Sequence, residues 1–156
     1  MQALGILQAA AVEPAADAAL DPGASSDPHA LLTYGSVLFY EGQAVLRGAH
    51  PADAEPVFRR AEDALVRAVR ASDGQADSPS WRLLRGQCAY LLGDLNVYVF
   101  NDSAVAKALY EQTLRYVPTH APAQGAVARM VMAMIQSHAE RADGAPQDEG
   151  APTTPR

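Results

Sequence analysis

The feature that most constrains this 156-residue chain is a short motif that it contains twice. Gly35-Ser36-Val37-Leu38-Phe39-Tyr40-Glu41-Gly42 is matched by Gly86-Gln87-Cys88-Ala89-Tyr90-Leu91-Leu92-Gly93. Both read glycine, three residues, an aromatic, two residues, glycine, and they are offset by 51. An internal repeat of this kind indicates one supersecondary unit used more than once. Both motifs fall inside helical patterning, not between a strand and a helix, so they are not phosphate-binding loops. The physical reason for the pattern is helix packing. Glycine and alanine let two antiparallel helices approach closely, and an aromatic fills the space beside them. Each motif is followed by a second helix with small and large apolar residues in order: Ala61, Leu65, Ala68 and Val69, then Ala106, Tyr110, Thr113 and Leu114.

Proline and capping residues divide the middle of the chain into five helices. Asp27-Pro28 opens the first, where proline's missing N–H costs nothing, and it runs to about Leu46–Gly48. Asp53 opens the second, with Pro56 in its first turn and Ala54, Val57, Phe58, Ala61, Leu65, Ala68 and Val69 at helical spacing. Ser72-Asp73-Gly74 ends it. Ser78-Pro79 opens the third, and Leu84, Cys88, Leu91, Leu95 and Val99 keep one face through Gly93, predicting a single helix to about Phe100. Asn101-Asp102-Ser103 is a turn and cap, and Pro118 stops the fourth helix. Pro122 opens the fifth, with Val127, Met130, Val131, Met134 and Ile135 on one stripe. No segment alternates as a strand does, so the expected fold class is all-α.

Charge sorts the chain into three parts. The net charge is −6. Residues 1–28 hold Glu13, Asp17, Asp21 and Asp27 without a single Lys or Arg, and 142–156 hold Asp143, Asp148 and Glu149 against Arg156. Residues 29–141 balance 11 acids with 11 bases. The expected organisation is a flexible acidic segment over 1–27, a helical domain over 28–141 and a disordered acidic tail over 142–156. The balanced domain, with mixed signs along Arg59–Arg70, argues against nucleic acid as a partner. The chain lacks an apolar run of 18 residues, which argues against membrane insertion. The first residues lack the basic start of a secretory signal, so a cytoplasmic location is expected.

The better motif copy, with Gly86, Gly93, Ala106, Tyr110, Leu114 and Pro118, resembles the tetratricopeptide repeat. Trp81 stands one position from that family's first-helix tryptophan. Gly86 to Pro118 spans 32 residues, about eight more than in the standard 34-residue repeat, so the first helix should be about two turns longer. The first copy is longer again and has Asp73 in place of the closing proline. The resemblance covers roughly 29–138. It implies antiparallel helical hairpins in a tetratricopeptide-like α-solenoid, with the fifth helix as a solvating C-terminal cap. The alternative is a plain four- or five-helix bundle with coincidental glycines. Two hairpins and a cap fall short of the usual three repeats, leaving longer helices, the N-terminal segment or self-association to supply burial.

The resemblance also implies where a partner binds: the first helix of each pair, at Leu32, Ser36, Phe39 and Tyr40 and at Leu83, Gln87, Tyr90 and Leu91. Some family members grip a C-terminal carboxylate with Lys and Asn there. Ser36, Tyr40, Gln87 and Leu91 replace them here, giving a neutral surface suited to a helix or an extended apolar peptide. The same residues read equally as ordinary core. Arg59, Arg67 and Arg70 would form the rim and set orientation, although their alternation with acids also fits a solvated face. The expected function is a non-catalytic protein–protein interaction module, an adaptor, scaffold or assembly subunit, without cofactor. Its partner would be another protein or a second copy in a homo-oligomer. The alternative is an exported helical-repeat protein that binds a small solute. Tyr34-Gly35 and the Arg-rich segment 58–68 resemble features of such proteins.

Catalytic chemistry finds little support. His29, His50, His120 and His138 lack metal-ligand spacing. Asp94 lacks the glycine and distal glutamate of a calcium loop and reads as exposed. The single cysteine, Cys88, rules out a disulfide framework and a Cys-based zinc site. Its place on an apolar stripe predicts a buried, inert thiol.

Overall fold

The computed structural model describes residues 24–48 and 51–143. The expectations for 1–23, His50 and the tail from 144 lie outside the described residues. Among those described, all regular structure is helical. The chain divides into two compact units, Met1–Asp73 and Gly74–Arg156.

The first unit is a hairpin of α1 (Pro28–Leu46) and α2 (Ala54–Ser72), joined through a 3-10 turn at Pro51–Asp53. Asp27 caps α1 by accepting the His29 N–H at 3.1 Å. Asp53 precedes α2 but makes no side-chain cap bond; the 3-10 turn enters the helix directly. The motif glycines explain the close approach of the two helices. A Cβ on Gly35 would lie 2.8 Å from Leu65 Cγ, and one on Gly42 would lie 2.6 Å from Phe58 Cε1. Two glycines rising along α1 thus meet residues falling along α2, which defines an antiparallel pair. Leu31, Leu38, Phe39, Phe58, Ala61 and Leu65 fill the interface, with the Phe39 and Phe58 rings 6.2 Å apart.

The second unit contains α3 (Pro79–Tyr98), α4 (Ser103–Tyr116) and α5 (Ala121–Asp143). Ser78 Oγ accepts the Trp81 N–H at 3.4 Å, and Asp102 Oδ1 accepts the Val105 N–H at 3.0 Å. The helix α3 runs unbroken through Gly93, as the apolar stripe predicts. Asn101 makes the turn into α4 with φ +54, a conformation that asparagine tolerates better than most residues. Gly86 faces Val117 Cγ2, and Gly93 faces the Tyr110 ring, at 2.8 and 2.7 Å from the hypothetical Cβ atoms. The reversed order again makes the pair antiparallel. Against α4, α5 buries Ala123 and Ala126 beside Ala106 and Tyr110, with Tyr90, Leu114, Val127 and Met130 packed around them.

The repeat is therefore present in the packing, but with a different register in its second helices. Phe58 corresponds to Tyr110 and Leu65 to Val117, each 52 residues apart; Ala61 likewise corresponds to Thr113. The sequence match had set Leu65 against Tyr110. Small and large residues recur along a helix at similar spacing, so the alignment slid by seven residues without losing its pattern. Only the glycine contacts fix it.

The fifth helix covers the α3–α4 hairpin and also keeps an apolar face of its own exposed. Val127 and Met130 pack on the α4 side, but Val131, Met132, Met134 and Ile135 remain exposed. At 23 residues against 14, α5 spans about 35 Å and α4 about 21 Å, so the last turns of α5 run past α4, while Val131, Met132 and Met134 are exposed beside it.

Candidate functional site

Within each unit, the four motif-face positions divide between core and surface. Phe39 and Leu91 are 2% exposed and belong to the core, which overturns their assignment as groove walls. Phe39 is turned inward by the Phe58 ring, and Leu91 lies on the buried stripe of α3 with Cys88 and Leu95. Leu32 and Ser36 are half-buried, and the Ser36 hydroxyl donates to the Leu32 carbonyl at 2.8 Å, a bond within its own helix. Tyr40 and Leu83 are exposed, at 62% and 58%, and Gln87 is half-buried. Tyr90 points inward, its ring 5.8 Å from Tyr110 and 4.7 Å from His120.

The expected arginine rim has local partners. Arg59 pairs with Glu55 at 3.7 Å and Glu62 at 3.1 Å. Arg67 pairs with Asp63 at 3.7 Å and donates to the Ser25 carbonyl at 3.0 Å. Arg70 is exposed in the last turn of α2. Exposed pairs of this kind contribute little stability, and the geometry is that of a solvated helix face.

Asp94 departs from expectation. It is half-buried beside the α3–α4 contact. The Tyr110 hydroxyl donates to its Oδ1 at 2.7 Å, and Tyr90 also hydrogen-bonds to it. Burial raises the Asp94 carboxyl above its ordinary 3.8, while the two tyrosines and the charges of Arg129 and His120 pull it back. Burial and the carboxylate together push Tyr90 up to about 12 and raise Tyr110 further. The phenols thus serve as hydrogen-bond donors that hold the carboxylate, and each buried group has a partner. Nearby, His120 Nδ1 accepts the Ala123 N–H at 3.2 Å and caps α5. Burial pushes the Cys88 thiol up to about 12, consistent with an unreactive side chain. Among the described residues, His, Cys, Asp and Glu form no group able to hold a metal ion.

The sign of the Asp94 shift gives a pH prediction. A carboxyl held above its unfolded value keeps its proton longer in the native state. Its contribution to stability is complete below 3.8 and is lost as pH rises through the raised native value. Asp94→Asn retains an acceptor oxygen but does not titrate. Thermal melts at a series of pH values should show the variant gaining on the parent as pH rises through that window. A variant that loses ground with rising pH would contradict the assignment.

The feature that sequence reading missed lies between α4 and α5. Where the two helices separate, a cleft of about 520 Å³ opens, lined by Ala104, Lys107, Met130, Ala133, Met134, His138 and Arg141 among others. A smaller hollow of about 230 Å³ adjoins it, sharing Ser103, Met130 and Ala133 and reaching Tyr98, Tyr110 and Arg129. Beside the cleft, Val131, Met132, Met134 and Ile135 are between 40% and 57% exposed. A signal was present: three of the chain's four methionines fall on five consecutive residues of a helix longer than its neighbour. Among the described residues, no helix is long and apolar enough to cross a membrane. No family model, curated protein or solved structure matches the chain.

Proposed function

We propose that this chain is a non-catalytic interaction module built from two tetratricopeptide-like hairpins, and that α5 with its cleft receives a helical segment of a partner protein. The observation that carries this reading is the exposed apolar row Val131, Met132, Met134 and Ile135 beside a cleft floored by Met130 and Ala133. Contiguous exposed apolar surface marks interaction sites. Methionine's unbranched, polarizable side chain adapts to differing partners, and an apolar groove between helices accepts anchors spaced along an amphipathic helix. The tetratricopeptide-like description draws support from the equivalent glycine contacts in both hairpins, at Gly42 under Phe58 and Gly93 under Tyr110.

The test uses fluorescence anisotropy with a labelled synthetic amphipathic helix carrying leucines at three- and four-residue spacing. Met134→Glu places a charge on an exposed position and should leave helicity by circular dichroism unchanged. Binding should weaken by about tenfold or more, which corresponds to about 1.4 kcal/mol. Tyr40→Ala should leave it unchanged. Loss of binding in Tyr40→Ala with full binding in Met134→Glu would overturn the reading.

A further inference from the structure

We infer that the occupant of the α4–α5 cleft is an acidic amphipathic helix, with Asp or Glu flanking its apolar anchors. This rests on the interaction reading above and adds the partner's charge. The residues lining the cleft include Lys107, His138 and Arg141, and the adjoining hollow adds Arg129; among the described residues, neither lining contains Asp or Glu. Glu111 reaches Lys107 from the next turn of α4 at 2.5 Å and steadies the ammonium at the cleft's edge. Because Lys107 has three donors, that bond leaves others for a ligand carboxylate. Arg129 and Arg141 stand twelve residues apart on α5, about 18 Å along the axis. Arg141 edges the cleft and Arg129 the adjoining hollow, where Arg129 also faces the Asp94 carboxylate, so Arg141 and Lys107 are the cations at the cleft itself. A second copy of α5 is a weaker match, because Arg129 and Arg141 are balanced by Glu140 and Asp143 on that helix, so it offers no net negative charge to the cations.

The experiment titrates the full chain with three labelled helices of identical leucine spacing, flanked by Glu, Gln or Lys. The Glu-flanked helix should bind about tenfold or more tightly than the other two, and its advantage should shrink as salt rises. Arg141→Glu, at an exposed position, should remove that advantage while leaving the Gln-flanked helix unaffected, and Arg141→Lys should retain it. Equal binding of the Glu- and Gln-flanked helices, insensitive to Arg141→Glu, would overturn the charge inference and leave the interaction reading standing. Failure of all three helices to bind the parent chain would overturn both. Preference for the Lys-flanked helix would also overturn the inference, as would a dimer in sedimentation that Met134→Glu dissolves.

Discussion

Replacing Phe58 with alanine is expected to cost about 3–5 kcal/mol of stability, near the upper end for a core truncation. The ring is fully buried. It lies over Gly42, where a Cβ would be 2.6 Å from it, and packs beside Phe39 at 6.2 Å between centroids. Removing it opens a void whose opposite wall is a glycine. Glycine has no side chain to move into the space, so the site collapses poorly and the cavity penalty persists. Tyr110 occupies the equivalent place over Gly93, and Tyr110→Ala should lose a similar amount together with its bond to Asp94. Urea unfolding followed by circular dichroism measures both. Tyr40→Ala, on the exposed side of the same motif, should shift stability by no more than about 0.5 kcal/mol. A loss of less than about 1 kcal/mol in Phe58→Ala would show that the ring does not close the hairpin.

Filling the glycines should be costly too, although the ordinary expectation has the opposite sign. Alanine is favoured over glycine inside a helix by about 1 kcal/mol. At Gly42 and Gly93 the added methyl would meet a buried aromatic ring at 2.6 and 2.7 Å, and overpacking of that kind costs about 1–3 kcal/mol. The steric term outweighs propensity, so both substitutions should destabilise. Gly125 supplies the control: a Cβ there meets only the Arg129 Nη1 at 3.4 Å, the end of a flexible side chain. Gly125→Ala should therefore stabilise by up to about 1 kcal/mol. Adding Phe58→Leu to Gly42→Ala should recover part of the loss, because the two positions touch and their effects are not additive. Stabilisation by Gly42→Ala would refute the close approach.

Helix boundaries were legible wherever a backbone need falls on one residue type. Asp27-Pro28, Ser78-Pro79 and Asp102 satisfy or avoid the unpaired N–H groups of a first turn, and each opens a helix as expected. Gly35, Gly42, Gly86 and Gly93 likewise announced close helix contacts. What they could not announce was the identity of the side chain above them, because periodic helices repeat small and large residues every few positions. The second-helix match consequently slid from Phe58–Tyr110 to Leu65–Tyr110. The motif aromatics divided for a related reason. Phe39 and Tyr40 are adjacent, so one residue step along the helix points them about 100° apart, and only packing decides which is buried. Asp94 was unreadable because its partners, Tyr90 and Tyr110, converge from two helices. The cleft is formed jointly by the start of α4 and the later turns of α5, and no single residue encodes it.

The central functional claim is that binding occurs on α5 and its cleft with α4, not on the motif faces of α1 and α3. Amide hydrogen exchange with and without a saturating amphipathic helix reads this most directly. Added protection should appear at 103–107 and 130–141. Protection confined to 32–40 or 83–91, with α5 unchanged, would contradict the account.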